Sequence, residues 1–273
     1  MKKNKISIIL LLFKTPLKII KNIKNYKDFD LYILDQSNNK DLENIIKKEF
    51  SNIRYYASTN KNVGFAKGIN FLAQKVKSKY FLCTQPDVII DKKSILKLEK
   101  TLKEKKDCIL SVPKITLFKN YKNKDLKKKV FEVNKILGAI FLTDKNRFKK
   151  FKMFDERFFF YWEDVDLCKR IEKSDFKIYL NSDAVAYHKG ENSVKPNLKT
   201  FIIRKVNFKY GEYLFQKKYN TLKTIKILRE IVKYPFLSIF FLLFFRYKTS
   251  FENICFFYAV LKYIFFGKFK KFD

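Results

Sequence analysis

The stretch Ile-Ser-Ile-Ile-Leu-Leu-Leu-Phe at residues 6–13 is the first of five short apolar runs that decide the fold. The other runs lie at residues 31–35, 53–57, 80–84 and 109–112. Between them, apolar residues recur with helical spacing at about 17–26, 40–49, 65–77 and 92–105. Alternation of this kind is typical of a mostly parallel sheet flanked by helices, which is an α/β fold. In such folds ligands bind beyond the carboxyl ends of the strands, so residues at those ends are the first candidates for a site.

The first apolar run also resembles part of a secretory signal, because three lysines within residues 2–5 precede it. The run is short, however, and Lys14-Thr15-Pro16 stands where a small-residue cleavage site is expected. A buried first strand explains the same residues, and we favour that interpretation.

The charge of the chain is strongly positive, with 60 basic and 27 acidic residues among 273 and a formal net charge of +33. Only seven of the basic residues are arginine, the side chain best suited to reading bases and phosphates with paired hydrogen bonds. The lysines are spread over the whole length, so we predict no nucleic-acid partner. A field this positive is still expected to attract anionic lipid headgroups and diphosphate substrates.

The cysteines indicate a reducing compartment. They lie at Cys83, Cys108, Cys168 and Cys255, and none forms a CxxC pair. Each belongs to an apolar stretch, so we expect buried, reduced thiols and a cytoplasmic location.

The C-terminal segment differs in character from the rest of the chain. Residues 234–245 contain no charged side chain, and residues 251–266 are apolar apart from Glu252, Asn253 and Lys262. Neither stretch reaches the roughly 20 apolar residues that span a bilayer. Basic residues flank both stretches, at positions 246, 248, 268, 270 and 271.

This change in character predicts two domains, residues 1–220 and a helical extension at residues 221–273. Apolar helices flanked by lysines suit the membrane interface, so we expect the extension to hold the protein peripherally on the inner face of the cell membrane. The alternatives are that the two helices pack on the first domain or on a second copy of the chain, which would make a homo-oligomer.

Glycine is scarce, and two of the six glycines lie in Asn-Lys-Asn-Val-Gly-Phe-Ala-Lys-Gly-Ile-Asn at residues 60–70. This segment follows a predicted strand and begins a predicted helix. Glycines at such a junction let backbone N–H groups approach a ligand, and the start of a helix favours negative charge. An ordinary turn before a helix is the alternative interpretation.

Two aspartates follow predicted strands. Asp87 ends Phe-Leu-Cys-Thr-Gln-Pro-Asp at residues 81–87, and Asp35 ends the second strand. Mg²⁺ and Mn²⁺ bind one or two carboxylates together with substrate phosphate oxygens, and Asp87 is well placed for that role. Either aspartate alone could instead cap a helix.

The densest group of candidate residues lies at 154–168, where five carboxylates surround an unbroken aromatic run. Glu163 and Asp164 directly follow the only tryptophan, Trp162. Acidic residues commonly begin a helix, but carboxylates beside aromatic rings are also desolvated, which raises the pKa toward the range of a general base. The only histidine, His188, ends the second of two short predicted strands, at residues 177–180 and 184–188, and its imidazole suits Mn²⁺ or a similar ion.

In order along the chain, Asp35, NVGFAKGIN, QPDV, Gly138-Ala139, FDERFFFYWEDVDLCKR and His188 resemble the family 2 glycosyltransferases. The resemblance covers about residues 5–220 and is greatest to the rhamnosyltransferase-like branch that builds bacterial surface polysaccharides. It implies a GT-A fold and inversion at the anomeric carbon of a sugar.

The resemblance also implies a role for each matching residue. Asp35 would contact the nucleobase, and the nucleotide site would be lined by Asn62, Gly64 and Asn70. Gly138 and Ala139 would lie beneath the transferred sugar.

The catalytic and metal-binding roles are implied in the same way. Asp164 matches the catalytic base, and Glu163 would help to hold the acceptor. Asp87 matches the last position of the DxD-type metal motif, and His188 matches a metal-ligand position. Gln85 departs from the family pattern, which usually has Asp or Asn there, so it is not assigned as a ligand.

The sequence therefore predicts a glycosyltransferase that uses Mg²⁺ or Mn²⁺ and a nucleotide diphosphate sugar, with rhamnose favoured. Its acceptor is expected to be a glycan or a lipid-linked oligosaccharide of cell-surface polysaccharide synthesis. Two alternatives stay open at this point: a catalytically inactive protein that binds nucleotide sugars or glycans, and a basic module that binds lipid or nucleic acid.

Overall fold

The computed structural model describes residues 5–117, 129–188, 194 and 197–267. The chain divides into two compact units. The first comprises Met1–Glu156 and Glu163–Lys195, and the second comprises Arg157–Trp162 and Pro196–Asp273. The sequence predicts a boundary after residue 220, whereas the units divide after residue 195 because the helix that follows packs within the second unit.

One mixed sheet forms the centre of the first unit. Its strands are β1 (Ile6–Leu12), β2 (Asp30–Asp35), β3 (Ile53–Ser58), β4 (Tyr80–Thr84), β5 (Val88–Ile90), β6 (Cys108–Leu117), β7 (Val130–Glu132), β8 (Ile140–Asp144) and β9 (Lys177–His188). They are ordered β3-β2-β1-β4-β8-β6-β9-β5, and β7 pairs with β9. The first four strands are parallel, and β8 runs antiparallel to both of its neighbours.

Helices connect the strands as the alternation of the sequence predicts. In the first unit they are α1 (Leu17–Ile20) with a following 3-10 helix (Lys21–Tyr26), α2 (Lys40–Glu49), α3 (Phe65–Lys75), α4 (Lys92–Glu104), α5 (Lys145–Lys150) and α6 (Glu163–Glu172). The second unit contains α7 (Leu198–Lys218), α8 (Thr224–Leu243) and α9 (Tyr247–Lys262), with a short π-helix at Tyr263–Gly267.

The central strands are buried on both faces, which explains why they appear in the sequence as unbroken apolar runs. On one face Ile8, Leu10 and Leu82 belong to a core that includes residues from α2 and α4. On the other face Phe81 packs edge to face against Phe148, with 5.6 Å between ring centroids. The first apolar run is therefore a strand inside the sheet, as predicted.

Two predictions about the second half of the sheet require correction. Residues 114–130 are rich in lysine and asparagine, which predicts a surface loop. Instead, residues 114–117 continue β6, and residues 118–128 lie outside the described part. Residues 177–180 and 184–188 were expected to be separate strands, yet β9 is continuous. The polar residues between them stay extended because Asn181 pairs with Val130 of β7 and Ser182 N donates to Lys129 O at 2.8 Å.

The four cysteines are buried and form no disulfide, as predicted. Within the described ranges no helix is both long enough and apolar enough to cross a bilayer. The second unit has its own core, in which Tyr213, Leu214, Tyr234, Ala259 and Val260 bring α7, α8 and α9 together.

The N-cap of α4 gives a test of local stability. The Asp91 carboxylate accepts a 2.7 Å hydrogen bond from Ser94 N, so Asp91→Ala leaves that donor without its partner. We expect a loss of about 1 kcal/mol in the free energy of unfolding, measured by urea denaturation at neutral pH. Asp91→Asn, which can still accept the bond, is the control and should lose much less.

The pH dependence of that loss has a definite sign. The hydrogen bond from Ser94 lowers the pKa of Asp91, so the carboxylate stabilises the folded chain above its unfolded pKa of about 3.8 and stops doing so as the pH falls through the folded pKa. The difference between wild type and Asp91→Ala should therefore shrink in acid. A difference that grows in acid would contradict the capping role.

Candidate active site

The strand register brings the predicted site residues to one edge of the sheet. Leu12 pairs with Asp35, and Leu10 pairs with Thr84, so the carboxyl ends of β1, β2 and β4 lie together. Thr84 also pairs with Ile140, the first residue of the antiparallel strand β8. The segments that begin at residue 85 and end at residue 139 therefore meet at this edge.

Asp87 and His188 approach each other because β5 and β9 are antiparallel and Val88 pairs with His188. The distance from His188 Nε2 to Asp87 Oδ2 is 3.5 Å, and the Asp87 side chain is fully buried. These two residues are 101 positions apart in sequence, so the fold brings together two residues that the resemblance assigns to an ion; their role as ligands stays a prediction.

The loop that carries Asp87 is held by two side chains that sequence reasoning missed. Asn22 Nδ2 donates to Pro86 O at 3.0 Å, and Tyr26 Oη donates to Val88 O at 3.1 Å. Burial raises the pKa of Tyr26 to about 12, so its hydroxyl keeps its proton. The only sequence signal for these contacts is the polar character of Asn22 and Tyr26 within an otherwise apolar helical face.

The surroundings of His188 fit a divalent ion. Both ring nitrogens are buried and make no hydrogen bond, and 3.5 Å to Asp87 is longer than a good hydrogen bond. Imidazole and carboxylate are suitable ligands for Mn²⁺, and Mg²⁺ takes few protein ligands because it keeps water and phosphate oxygens. In the described part of the chain, no three His, Cys, Asp or Glu side chains form a cluster that could hold a metal ion.

Glu163 and Asp164 begin α6, and a glycine holds the second of them in place. Asp164 Oδ2 accepts from Gly138 N at 3.0 Å, and its Oδ1 accepts from Val165 N at 2.8 Å. A Cβ at position 138 would lie 3.0 Å from both Cβ and Oδ2 of Asp164. A side chain at position 138 would therefore crowd the Asp164 carboxylate, whereas glycine lets its backbone N–H approach closely. The position of Gly138 beneath a sugar stays a prediction.

The two acidic side chains differ in their ionisation. Burial, and secondly the charge of Asp164, raises the pKa of Glu163 to about 8, and one of its oxygens is buried without a hydrogen bond. Burial also raises the pKa of Asp164, although the hydrogen bonds from Gly138 and Val165 oppose the shift. Near neutral pH Glu163 is therefore mostly protonated, and Asp164, which accepts two backbone hydrogen bonds, is the one suited to accept a proton.

The residues predicted to bind a nucleotide form a second group. Asp35 is fully buried and accepts from Ser37 N and Asn39 N, both at 3.0 Å. Gln36 Oε1 accepts from Val63 N at 2.7 Å, which ties the loop after β2 to the loop before α3. The Asp35 carboxylate thus shapes this loop, and its contact with a nucleobase stays a prediction.

The loop before α3 is built around Asn62 and Gly64. Asn62 Oδ1 accepts from Gly64 N at 2.8 Å, and Gly64 has φ 92°, a conformation that favours glycine. These residues stand at the start of α3, where backbone N–H groups favour anions. That Asn62 and Gly64 line a nucleotide site stays a prediction.

Asn70 and Ala139 are both buried. The Asn70 side chain donates to Phe154 O at 2.9 Å and accepts from Phe154 N at 3.1 Å, so it fastens α3 to the segment that precedes the acidic cluster. Ala139 directly precedes β8. No contact in the structure tests whether either residue also touches a nucleotide sugar.

The residues before Glu163 belong to the second unit and have strained backbones. Tyr161 and Trp162 have φ of 69° and 73°, which is uncommon for large side chains. Trp162 Nε1 donates to Phe208 O at 2.8 Å, and a Cβ on Gly211 would lie 2.7 Å from the Trp162 ring. The only sequence feature that hints at this packing of Trp162 is Gly211, a glycine inside the long helix α7.

Comparison with known proteins agrees with the fold described above. The family model "Glycosyl transferase family 2" matches residues 12–169. A search of curated protein sequences gave no significant match.

Three solved structures share the fold at low sequence identity. GalNAc-T7 with UDP, GalNAc and Mn²⁺ aligns with TM-score 0.59 and 10% identity over 79% of this chain and 50% of its own. TarS of S. aureus aligns with TM-score 0.56 and 14% identity over 87% of this chain and 44% of its own. The mannosyltransferase PcManGT from Pyrobaculum calidifontis, with GDP-Man and Mn²⁺, aligns with TM-score 0.57 and 9% identity over 77% of this chain and 62% of its own. This chain thus spans about half the length of two of them and somewhat more of the third.

The raised pKa of Glu163 predicts a pH dependence of stability. Because the folded state binds this proton up to about pH 8 and the unfolded state only to about pH 4.5, the free energy of unfolding falls as the pH rises between these values. Glu163→Gln removes that contribution. The variant should gain on the order of 1–3 kcal/mol relative to wild type across this range, measured by urea denaturation at several pH values.

Glu172→Gln is the matched control, because Glu172 lies at the exposed end of the same helix. It should leave the pH profile of wild type unchanged in the alkaline half of the range. Parallel profiles for wild type and Glu163→Gln would show that Glu163 is ionised normally.

Proposed function

This chain belongs to glycosyl transferase family 2, and we propose that it is an inverting enzyme that moves a sugar from a nucleotide diphosphate donor to a hydroxyl of a glycan or lipid-linked acceptor. The observation that supports the proposal is the pairing of β4 with β8, because the segment to Asp87 leaves β4, and the Gly138 segment that holds Asp164 enters β8, at the same sheet edge. The Asp87–His188 pair suits an ion with a diphosphate, and the acidic pair suits proton removal.

Asp164 is the proposed general base. Its carboxylate takes the proton from the acceptor hydroxyl while the hydroxyl oxygen forms a bond to the anomeric carbon. The bond between that carbon and the diphosphate oxygen breaks on the opposite side, and the electron pair leaves with the diphosphate. Glu163, protonated near neutral pH, does not compete for the proton and can donate a hydrogen bond to the acceptor.

Asp87 and His188 would hold a divalent ion, Mg²⁺ or Mn²⁺. When bound, such an ion neutralises the negative charge that grows on the departing diphosphate. The loop of Asn62 and Gly64 would lie beside the phosphates at the start of α3, and the Asp35 loop would receive the nucleobase. Two structural neighbours that were solved with Mn²⁺ and nucleotide ligands support a divalent ion and a nucleotide donor.

The donor and the location are finer parts of the proposal. The resemblance to the rhamnosyltransferase-like branch favours dTDP-rhamnose and a role in cell-surface polysaccharide synthesis. Four buried free cysteines fit the cytoplasm, and the exposed apolar side chains of α8 fit peripheral attachment to the inner face of the membrane.

The base is tested by Asp164→Asn. The amide cannot accept the proton, so the rate of sugar transfer should fall by about 10²–10⁴-fold, while binding of the nucleotide diphosphate stays near wild type. Transfer is measured with radiolabelled donor and membrane extract, and binding by thermal shift. Asp175→Asn, an exposed aspartate outside the site, is the control. Near wild-type turnover of Asp164→Asn would refute the assignment.

The ion site is tested by Asp87→Ala. Thermal shifts with dTDP, UDP and GDP, each with and without Mn²⁺, should identify a nucleotide whose binding to wild type depends on the ion. That ion-dependent affinity should fall by about tenfold or more in Asp87→Ala. Asp91→Asn, four residues along the chain, should behave as wild type. Equal ion dependence in Asp87→Ala and wild type would remove Asp87 from the site.

A further inference from the structure

Helix α8 has its more apolar face turned to solvent. Its buried residues are Ile227, Glu230, Tyr234 and Ser238, two of which are polar. The exposed large side chains are Ile225, Leu228, Val232, Phe236, Ile239, Phe240, Leu242 and Leu243. A surface helix of a soluble protein has the opposite arrangement, with apolar residues inside and polar residues outside.

Six of these exposed residues form a continuous stripe, which we call the α8 stripe: Ile225, Leu228, Val232, Phe236, Ile239 and Leu243. Their spacing of three or four residues places them on one side of the helix. Val232, Phe236 and Ile239 are 71%, 65% and 61% exposed. A helix of 20 residues is about 30 Å long, so the α8 stripe is larger than the scattered apolar side chains that soluble proteins tolerate.

The buried polar groups on the inner face of α8 find their partners within the second unit. Lys209 Nζ of α7 lies 3.1 Å from Glu230 Oε2, and Tyr213 Oη donates to the same carboxylate. Ser238 and Ser250 are hydrogen-bonded across α8 and α9 at 3.0 Å. These buried polar contacts fix the rotation of α8 about its axis, so the α8 stripe cannot turn inward without breaking them.

Charge decides between a membrane and a second copy of the chain. Between residues 197 and 267 there are thirteen basic and three acidic residues. The three carboxylates, of Glu212, Glu230 and Glu252, already pair with lysines. Two copies facing each other would bring basic surfaces together, whereas anionic headgroups would be attracted by them.

We propose that the α8 stripe lies in the interfacial layer of an anionic membrane, with the helix parallel to the surface. Arg229 and Lys233 are exposed along one side of the stripe and would reach the headgroups. This membrane contact deepens the proposed function, because it would bring the protein to a lipid-linked acceptor. Only that link to the acceptor rests on the proposed function.

The test is sedimentation of the full-length protein with vesicles, without donor or metal ion. Wild type should sediment with phosphatidylcholine vesicles that contain phosphatidylserine. The triple variant Val232→Ser, Phe236→Ser and Ile239→Ser should show a partition coefficient lower by about tenfold or more, because three apolar side chains no longer leave water. Thermal unfolding should be near that of wild type, since the substituted side chains are exposed.

The matched control replaces three exposed apolar residues elsewhere: Leu17→Ser, Leu96→Ser and Leu198→Ser. It should bind vesicles as wild type does. The stripe variant and wild type could instead bind vesicles equally well, and both could lose binding in high salt. The lysines alone would then attract the membrane, and the proposal would be overturned.

A second outcome would also overturn it. If wild type ignores the vesicles and sediments in solution as a dimer that the stripe substitutions dissociate, another copy of the chain covers the α8 stripe. Because no nucleotide takes part, failure here leaves the proposed transfer activity standing, and failure of the Asp164 and Asp87 tests leaves the membrane contact standing.

Discussion

The candidate site depends on one backbone constraint, the antiparallel register that sets Val88 opposite His188. Asp87 precedes Val88, so this pairing puts its carboxylate beside the imidazole without any direct attraction between the two side chains being needed. Asn22 and Tyr26 hold the same segment from the other side. Because backbone groups and remote side chains fix the geometry, the ring nitrogens of His188 stay available for a ligand.

A second constraint is steric. Gly138 lies so close to Asp164 that a side chain there would displace the carboxylate. The close approach delivers a backbone N–H to Asp164, and burial keeps Glu163 largely protonated. The backbone hydrogen bonds favour the ionised form of Asp164 and burial favours the protonated form of Glu163, which is how an environment assigns different tasks to chemically similar groups.

The sequence predicted the strands of the first half closely, because strands buried on both faces leave unbroken apolar runs. The resemblance to the family, and not the strand pattern, assigned Asp87 and His188 to one ion site, and the structure brings the two side chains to 3.5 Å. The sequence could not predict Tyr26 or Asn70 as loop anchors, because each contact joins segments more than sixty residues apart and leaves no periodic signal. The sequence shows that α8 is rich in apolar residues. It does not show which face points outward, because that depends on the buried Glu230, whose lysine partner lies on another helix.

The long separation between β5 and β9 has a consequence for the order of folding. Parallel strands β1 to β4 can pair once roughly the first third of the chain exists, but Asp87 acquires its imidazole neighbour only after residue 188 has been added. Contacts of such large sequence separation form late. A divalent ion bound by both residues would therefore stabilise only the completed sheet, and its presence would favour the finished molecule over every partly assembled form.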